Sequence, residues 1–182
     1  MPPVADLARI TALLARTPSS LDALLRGLPA DWLAANEGAS TWNAVEIVGH
    51  LIHGERTDWL PRARIILEQG DSRAFEPFDM EGHRREVESK AVNALLDEFA
   101  RLRAANLVAL ADLRLAAPDL ARKGLHPGLG TVTLGQLLAA WAAHDLTHLH
   151  QLSRLLARGI RTEVGPWAQY MGVMQCAGHS AR

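Results

Sequence analysis

Two histidines one helical turn apart, His144 and His148, stand in the stretch Trp141-Ala-Ala-His-Asp-Leu-Thr-His-Leu-His150. Leu137, Trp141, His144, His148 and Leu155 recur at spacings of three, four and seven, the period of a helix face turned toward a core. Side chains at i and i+4 lie one above the other, so these two imidazoles could grip one divalent ion together. Two ligands are too few, and a third must arrive from another helix. Glu46-Ile-Val-Gly-His-Leu-Ile-His53 offers His50 inside a second apolar segment. The competing reading is that each ring is a hydrogen-bonded core residue, and HxxxH also arises by chance on Ala-rich helices. Three buried, unsatisfied rings would cost about 1–3 kcal/mol each, however, and a single ion satisfies all three.

The remaining histidines are weaker candidates. His53 lies about 300° around the helix from His50, and His150 about 200° from His148, on the solvent side. His83 and His179 fall in loop and tail, and His126 reads as a turn residue in a Gly/Pro-rich connection that could fold over the site. His144-Asp-Leu-Thr-His148 differs from the HExxH metalloprotease motif in its acid: Asp145 is shorter than glutamate and points about 100° away from His144. Protease chemistry is therefore not expected. Trp141, one turn before His144, is placed to line a pocket mouth. Cys176, the only cysteine, reads as an inert thiol in a loose tail. It excludes an intrachain disulfide and a thiolate-built metal site, and it fits a reducing compartment.

The elements that must carry these residues are helical. Residues 4–16 place Leu7, Ile10, Leu13 and Leu14 on one side, Pro18 interrupts, and Ser19 or Ser20 can cap a resumed segment to Leu25, ended by Pro29. A loop containing Gly38 follows. Asn43 as N-cap, Glu46 as its capping-box partner and a Trp42–Ile47 staple specify the next helix start. That helix carries His50 and runs past Trp59 toward Leu67, with a kink or break imposed by Pro61. Residues 70–83 read as loop, and Glu81 to Leu115 as one long helix striped by Val92, Leu95, Leu96, Phe99, Leu102, Leu107 and Leu110. Pro118, Gly124, Pro127, Gly128 and Gly130 mark an irregular connection without a convincing strand pattern. Thr133 and Gln136 then form a second capping box, with a Val132–Leu137 staple, for the helix of the histidine pair, which ends at Gly159. Pro166 to Met171 predicts one short helix. Four main helices give an all-α antiparallel four-helix bundle with short extra helices, and the length of the 116–133 connection suggests a crossover there.

At 182 residues, 48% hydrophobic and 21% charged, the chain suits a single domain, read as residues 1–175 with a flexible tail at 176–182. The net charge of −1 provides no electrostatic footprint for nucleic acid or an anionic membrane. With neither a signal-peptide pattern nor an apolar run of spanning length, a soluble cytoplasmic protein is expected.

The chain resembles the DinB-like (YfiT-type) family of metal-binding four-helix bundles. The resemblance is carried by Trp42-Asn-Ala-Val-Glu-Ile-Val-Gly-His50-Leu, by Phe78-Asp79 leading into a long helix with Phe99 and Arg103, by Leu125-His-Pro-Gly-Leu-Gly130-Thr-Val-Thr-Leu, and by Trp141-Ala-Ala-His144-Asp-Leu-Thr-His148-Leu-His-Gln151. These occur in the family's order over roughly residues 35–175. The resemblance implies one divalent metal held by a histidine of the second helix and two of the last, here His50, His144 and His148. Many members have histidine directly before the last ligand, where this chain has Thr147. Some relatives are transferases or isomerases that use bacillithiol, mycothiol or glutathione, and others are known only as stress-induced proteins.

Three imidazoles leave a coordination position open, the arrangement of a catalytic site, and all-imidazole sites suit zinc or nickel, with iron or manganese as alternatives. The expected function is a metal-dependent enzyme, a low-molecular-weight-thiol S-transferase or related isomerase acting on a small molecule. The alternatives are metal-assisted hydrolysis and a non-catalytic metal-binding stress protein. A homodimer is expected, since amphipathic bundles of this size often pair an apolar helix face and the resembling family commonly dimerises.

Overall fold

A computed structural model describes residues 5–38 and 40–176. Helix one of the bundle is broken into α1 (Leu7–Leu14) and α2 (Thr17–Leu25), followed by a short α3 (Ala30–Ala34). As expected, Pro18 marks an interruption, which falls at Ala15 and Arg16. The proline occupies the first turn of α2, where a missing N–H costs nothing, and Ser19 and Ser20 donate back to Arg16 O instead of capping. Helix two is α4 (Ala44–Thr57) and α5 (Trp59–Gln69). The break falls at Asp58, with φ −110° and ψ −73°, three residues before Pro61, because proline has no N–H to continue the ladder of the preceding turn. The capping box at the start of α4 is present, Asn43 N–H donating to Glu46 Oε2 at 2.9 Å and Glu46 N–H to Asn43 Oδ1 at 3.0 Å.

The helix expected from Glu81 to Leu115 is two: α6 (His83–Val87) and α7 (Val92–Asp112). Helical composition alone does not show the stop at Ser89, whose φ is +58°. The short α6 packs flat on α4 at Gly49, where a Cβ would sit 2.4 Å from Val87 Cγ1. After α8 (Ala117–Leu120) comes a hairpin, β1 (Lys123–His126) and β2 (Gly130–Thr133), paired antiparallel. Periodicity does not reveal strands of four residues, but a three-residue turn followed by glycine at positive φ, here Gly130 at +72°, is a known hairpin connection. The Thr133–Gln136 box then opens α9 (Leu134–Gly159), and α10 (Arg161–Val164), a 3-10 turn (Gly165–Tyr170) and α11 (Gly172–Gln175) complete the described chain. The tail thus holds three short elements where one was expected.

Two apolar clusters fix the direction of each main helix. One gathers Ile10, Leu14, Trp59, Ile66, Leu110, Leu134 and Trp141; the other Leu21, Leu25, Ile47, Ile52, Phe99, Leu152 and Leu155. Helices one and four run from the first cluster to the second, while helices two and three run from the second to the first. The order is up, down, down, up. The crossover is therefore the segment 70–91, which must return along the bundle between two helices of like direction, and not the 116–133 connection. The crossing segment is tied to the hairpin by Phe75 N–H donating to Leu125 O at 2.9 Å. No helix among the described residues is long and apolar enough to cross a membrane.

Candidate metal centre

Buried polar residues from all four main helices, Thr17, Glu55, Arg103 and Asp145, meet in one hydrogen-bonded layer between the two apolar clusters. Arg103, 1% exposed, donates through Nη1 to Leu14 O at 2.8 Å and Asp145 Oδ2 at 2.5 Å, and through Nη2 to Asp145 Oδ1 at 3.0 Å and Glu55 Oε1 at 2.8 Å. Thr17 Oγ1 donates to Asp145 Oδ2 at 2.6 Å. Trp141 Nε1 and Asn106 Nδ2 each donate to Glu55 at 2.9 Å. Burial works against the guanidinium's charge, and the bonds to Asp145 and Glu55 outweigh it, holding its pKa above the ordinary value. Trp141 is thus a fully buried strut and lines no pocket mouth. Asp145 faces this network and not the histidines.

His50 on α4 and His144 and His148 on α9 converge beside this polar layer. Their Nε2 atoms meet, His144 lying 3.0 Å from His50 and 3.1 Å from His148, and the three rings offer ligand atoms all within 4.8 Å of one another. Burial, then the imidazoles of His148 and His144, push His50 from 6.5 to about 2; burial and His148 push His144 to about 3. Burial also lowers His148, opposed by its bond to Gln151. All three are therefore neutral near neutral pH. The Nδ1–H of His148 donates to Gln151 Oε1 at 2.9 Å, which leaves the Nε2 lone pair turned toward the other two rings.

This donor set fits a divalent cation. Nitrogens bound at zinc-type distances stand about 3.0–3.4 Å apart, close to the two contacts observed. Without a cation the arrangement is frustrated, because a neutral ring nitrogen carries either one proton or one lone pair, and His144 Nε2 faces two neighbours.

The triad forms the floor of a cleft of 330 Å³. Trp42 covers it, its ring centroid 4.6 Å from His50 and 6.2 Å from His148, and Trp59 meets His144 edge-on at 5.1 Å. Phe78 and Met80 enter from the crossing segment, and Asp58 and Thr147 complete the rim. Burial pushes the Asp58 carboxyl up, against the pull of Arg62. Asp58 and the orienting role of Gln151 escape sequence reading. Gln151 lies one turn beyond His148 and could have been found by asking what holds the ring.

The other histidines stay apart from the triad. His150 is exposed as expected, and His126 is a turn residue whose Nδ1 accepts from the N–H groups of Gly128 and Leu129. His53 is buried against Phe78. His83 corrects the loop assignment: it opens α6, is 1% exposed, and packs on Trp42 at 4.8 Å. His179 lies outside the described residues. Cys176 is exposed and away from the cleft.

The fold is similar to that of YfiT from Bacillus subtilis, with a TM-score of 0.69, 18% identity, and coverage of 85% of this chain and 87% of that one. YfiT is described as "a probable metal-dependent hydrolase with an unusual four-helix bundle topology". No curated protein matches the sequence significantly. The DinB superfamily profile matches residues 13–152, a span that contains all three converging histidines and the polar layer beside them: the chain belongs to the DinB superfamily.

Proposed function

We propose that this protein is a metal-dependent enzyme acting on a small molecule, with His50, His144 and His148 as the ligands of one divalent ion. The observation that carries the reading is the convergence of three neutral Nε2 donors on the floor of an apolar-walled cleft. An ion held by three imidazoles keeps positions open, and there it would serve as a Lewis acid toward a carbonyl or a thiol. Zinc or nickel suits the donors best, and iron and manganese are compatible. The chain's own residues hold the arrangement. Gln151 sets the tautomer of His148, and Arg103 ties α9 to helices one and two next to His144. Trp42 and Trp59 pack against the imidazoles of the floor.

Transfer to or from a low-molecular-weight thiol, or a related isomerisation, is the leading reaction. The thiol would be a cosubstrate, since Cys176 lies outside the cleft. Hydrolysis is the second reading, favoured by the Asp58 carboxylate in the cleft wall, a group able to take a proton from water, and by the description of YfiT. The test is the metal content of protein purified without chelator, followed by turnover of activated esters and of thiol-plus-electrophile pairs. Thiol-dependent turnover supports the first reading and thiol-independent ester cleavage the second. A protein that carries no metal, and whose melting is insensitive to added metal or chelator, would refute both.

A further inference from the structure

One charged side chain lines the cleft. Asp58 sits at the break between α4 and α5, is 7% exposed, and pairs through Oδ1 with Arg62 Nε at 2.6 Å. Asp58 stands between this cleft and a neighbouring hollow, and Arg62 lines only the hollow. Oδ2 makes no ion pair, and Oδ1, although Arg62 Nε lies close, has no hydrogen bond of regular geometry from any described residue. The surrounding walls are the aromatic rings of Trp42, Trp59 and Phe78, with Met80, 37% exposed, at the rim. No lysine or arginine among the described residues lines the cleft. A buried carboxylate with hydrogen-bonding capacity to spare among aromatic rings favours a positive group on two counts, Coulomb attraction in a poorly solvated site and the negative face of the rings.

We infer that the substrate of this cleft is an amine: a small molecule whose ammonium group is held by the Asp58 carboxylate while a neutral donor at its other end reaches the histidine floor. This rests on the proposed use of the cleft as the substrate site. It excludes small carboxylates and phosphates as preferred ligands, since they would meet Asp58 on entry with no cation in the wall to receive them. The pair Asp58–Arg62 would relax as the ammonium arrives, because burial disfavours the carboxylate's charge and a second cation offsets that cost.

The test uses three probes of one shape, benzylamine, benzyl alcohol and benzoate, with binding read by tryptophan fluorescence and calorimetry. The full chain is treated with chelator, so that no ion competes for either end of the probe, and the series is repeated on metal-loaded protein. Metal-free wild type should bind benzylamine about tenfold or more tighter than benzyl alcohol, with benzoate weakest. In Asp58→Asn the amine-to-alcohol ratio should collapse toward one while benzyl alcohol binding is retained. Far-UV circular dichroism and melting of the variant check that its fold is kept; should Asp58→Asn fail that check, Asp58→Glu serves, and it should keep the amine preference. Benzoate binding as tightly as benzylamine, an unchanged ratio in folded Asp58→Asn, or no binding of any probe at millimolar concentration overturns the inference. Metal titration of the same proteins separates the two readings: metal bound without amine preference defeats only this inference, and amine preference without metal binding defeats only the proposed metal centre.

Discussion

Replacing Arg103 with methionine should be strongly destabilising, and its effect should depend on pH in a recognisable way. The guanidinium makes four hydrogen bonds, three of them to carboxylate oxygens, and its ion-pair partners Glu55 and Asp145 have side chains 1% and 3% exposed. Methionine fills most of the volume but leaves two carboxylates facing each other in the interior. Breaking a buried pair in this way costs about 3–5 kcal/mol, against a total stability of about 5–15 kcal/mol for a domain of this kind. The sign of the pH dependence follows from the same contacts. Without the arginine, burial and mutual repulsion disfavour both carboxylate charges in the folded state relative to the unfolded chain, so the variant is most stable at low pH and loses stability as pH rises. Urea unfolding followed by far-UV circular dichroism from about pH 5 to about pH 8 reads both effects. Adding Asp145→Asn and Glu55→Gln to Arg103→Met should recover much of the loss, since the unpaired charges are removed. A loss below about 1 kcal/mol, or a pH profile parallel to wild type, would show that the polar layer is not the buried charge cluster described above.

Alanine at His50, His144 or His148 should each sharply lower metal affinity while His150→Ala leaves it unchanged; equal metal content by elemental analysis in all four variants would sink the triad. Gln151→Leu should weaken metal binding about 10–100-fold without abolishing it, and wild-type affinity in a competitive chelator titration would remove its orienting role. In metal-free protein His50 and His144 are depressed from 6.5 to about 2 and about 3, so their contribution is intact above the unfolded value and lost as pH falls below it. By about pH 5 each should cost about 2 kcal/mol, and a denaturation midpoint unchanged between about pH 7 and about pH 5 would contradict the burial of neutral imidazoles. The expected homodimer is checked by light scattering at micromolar concentration, where a monomeric mass rules it out.

How far the sequence could be read depended on whether a feature was local. Both capping boxes and the helices they open were legible, because Asn43–Glu46 and Thr133–Gln136 satisfy their backbone donors within one turn. The triad was legible because two of its members share one helix face and the third interrupts an apolar run. The break at Ser89 and the strands at 123–126 and 130–133 were not, since helix-favouring composition continues through the first and four-residue strands carry no period. The crossover was misplaced for a related reason. The length of a connection does not state which way its flanking helices run, whereas the two apolar clusters do. Glu55, Arg103 and Asp145 come from three helices, and nothing in their spacing shows that they meet.

The crossing segment has a consequence for how such a protein can diverge. The three converging histidines sit on α4 and α9, held in register by a polar layer that every main helix joins, whereas Phe78 and Met80 reach the cleft from a connection outside those helices. Substitutions or insertions near 76–81 can reshape the mouth without moving an imidazole. Changes at His50, His144 or His148 alter the donor set and leave Phe78 and Met80 in place. A library randomised over the crossing segment alone should therefore alter ligand choice at constant metal affinity, which makes this stretch the natural place to retune the protein by design.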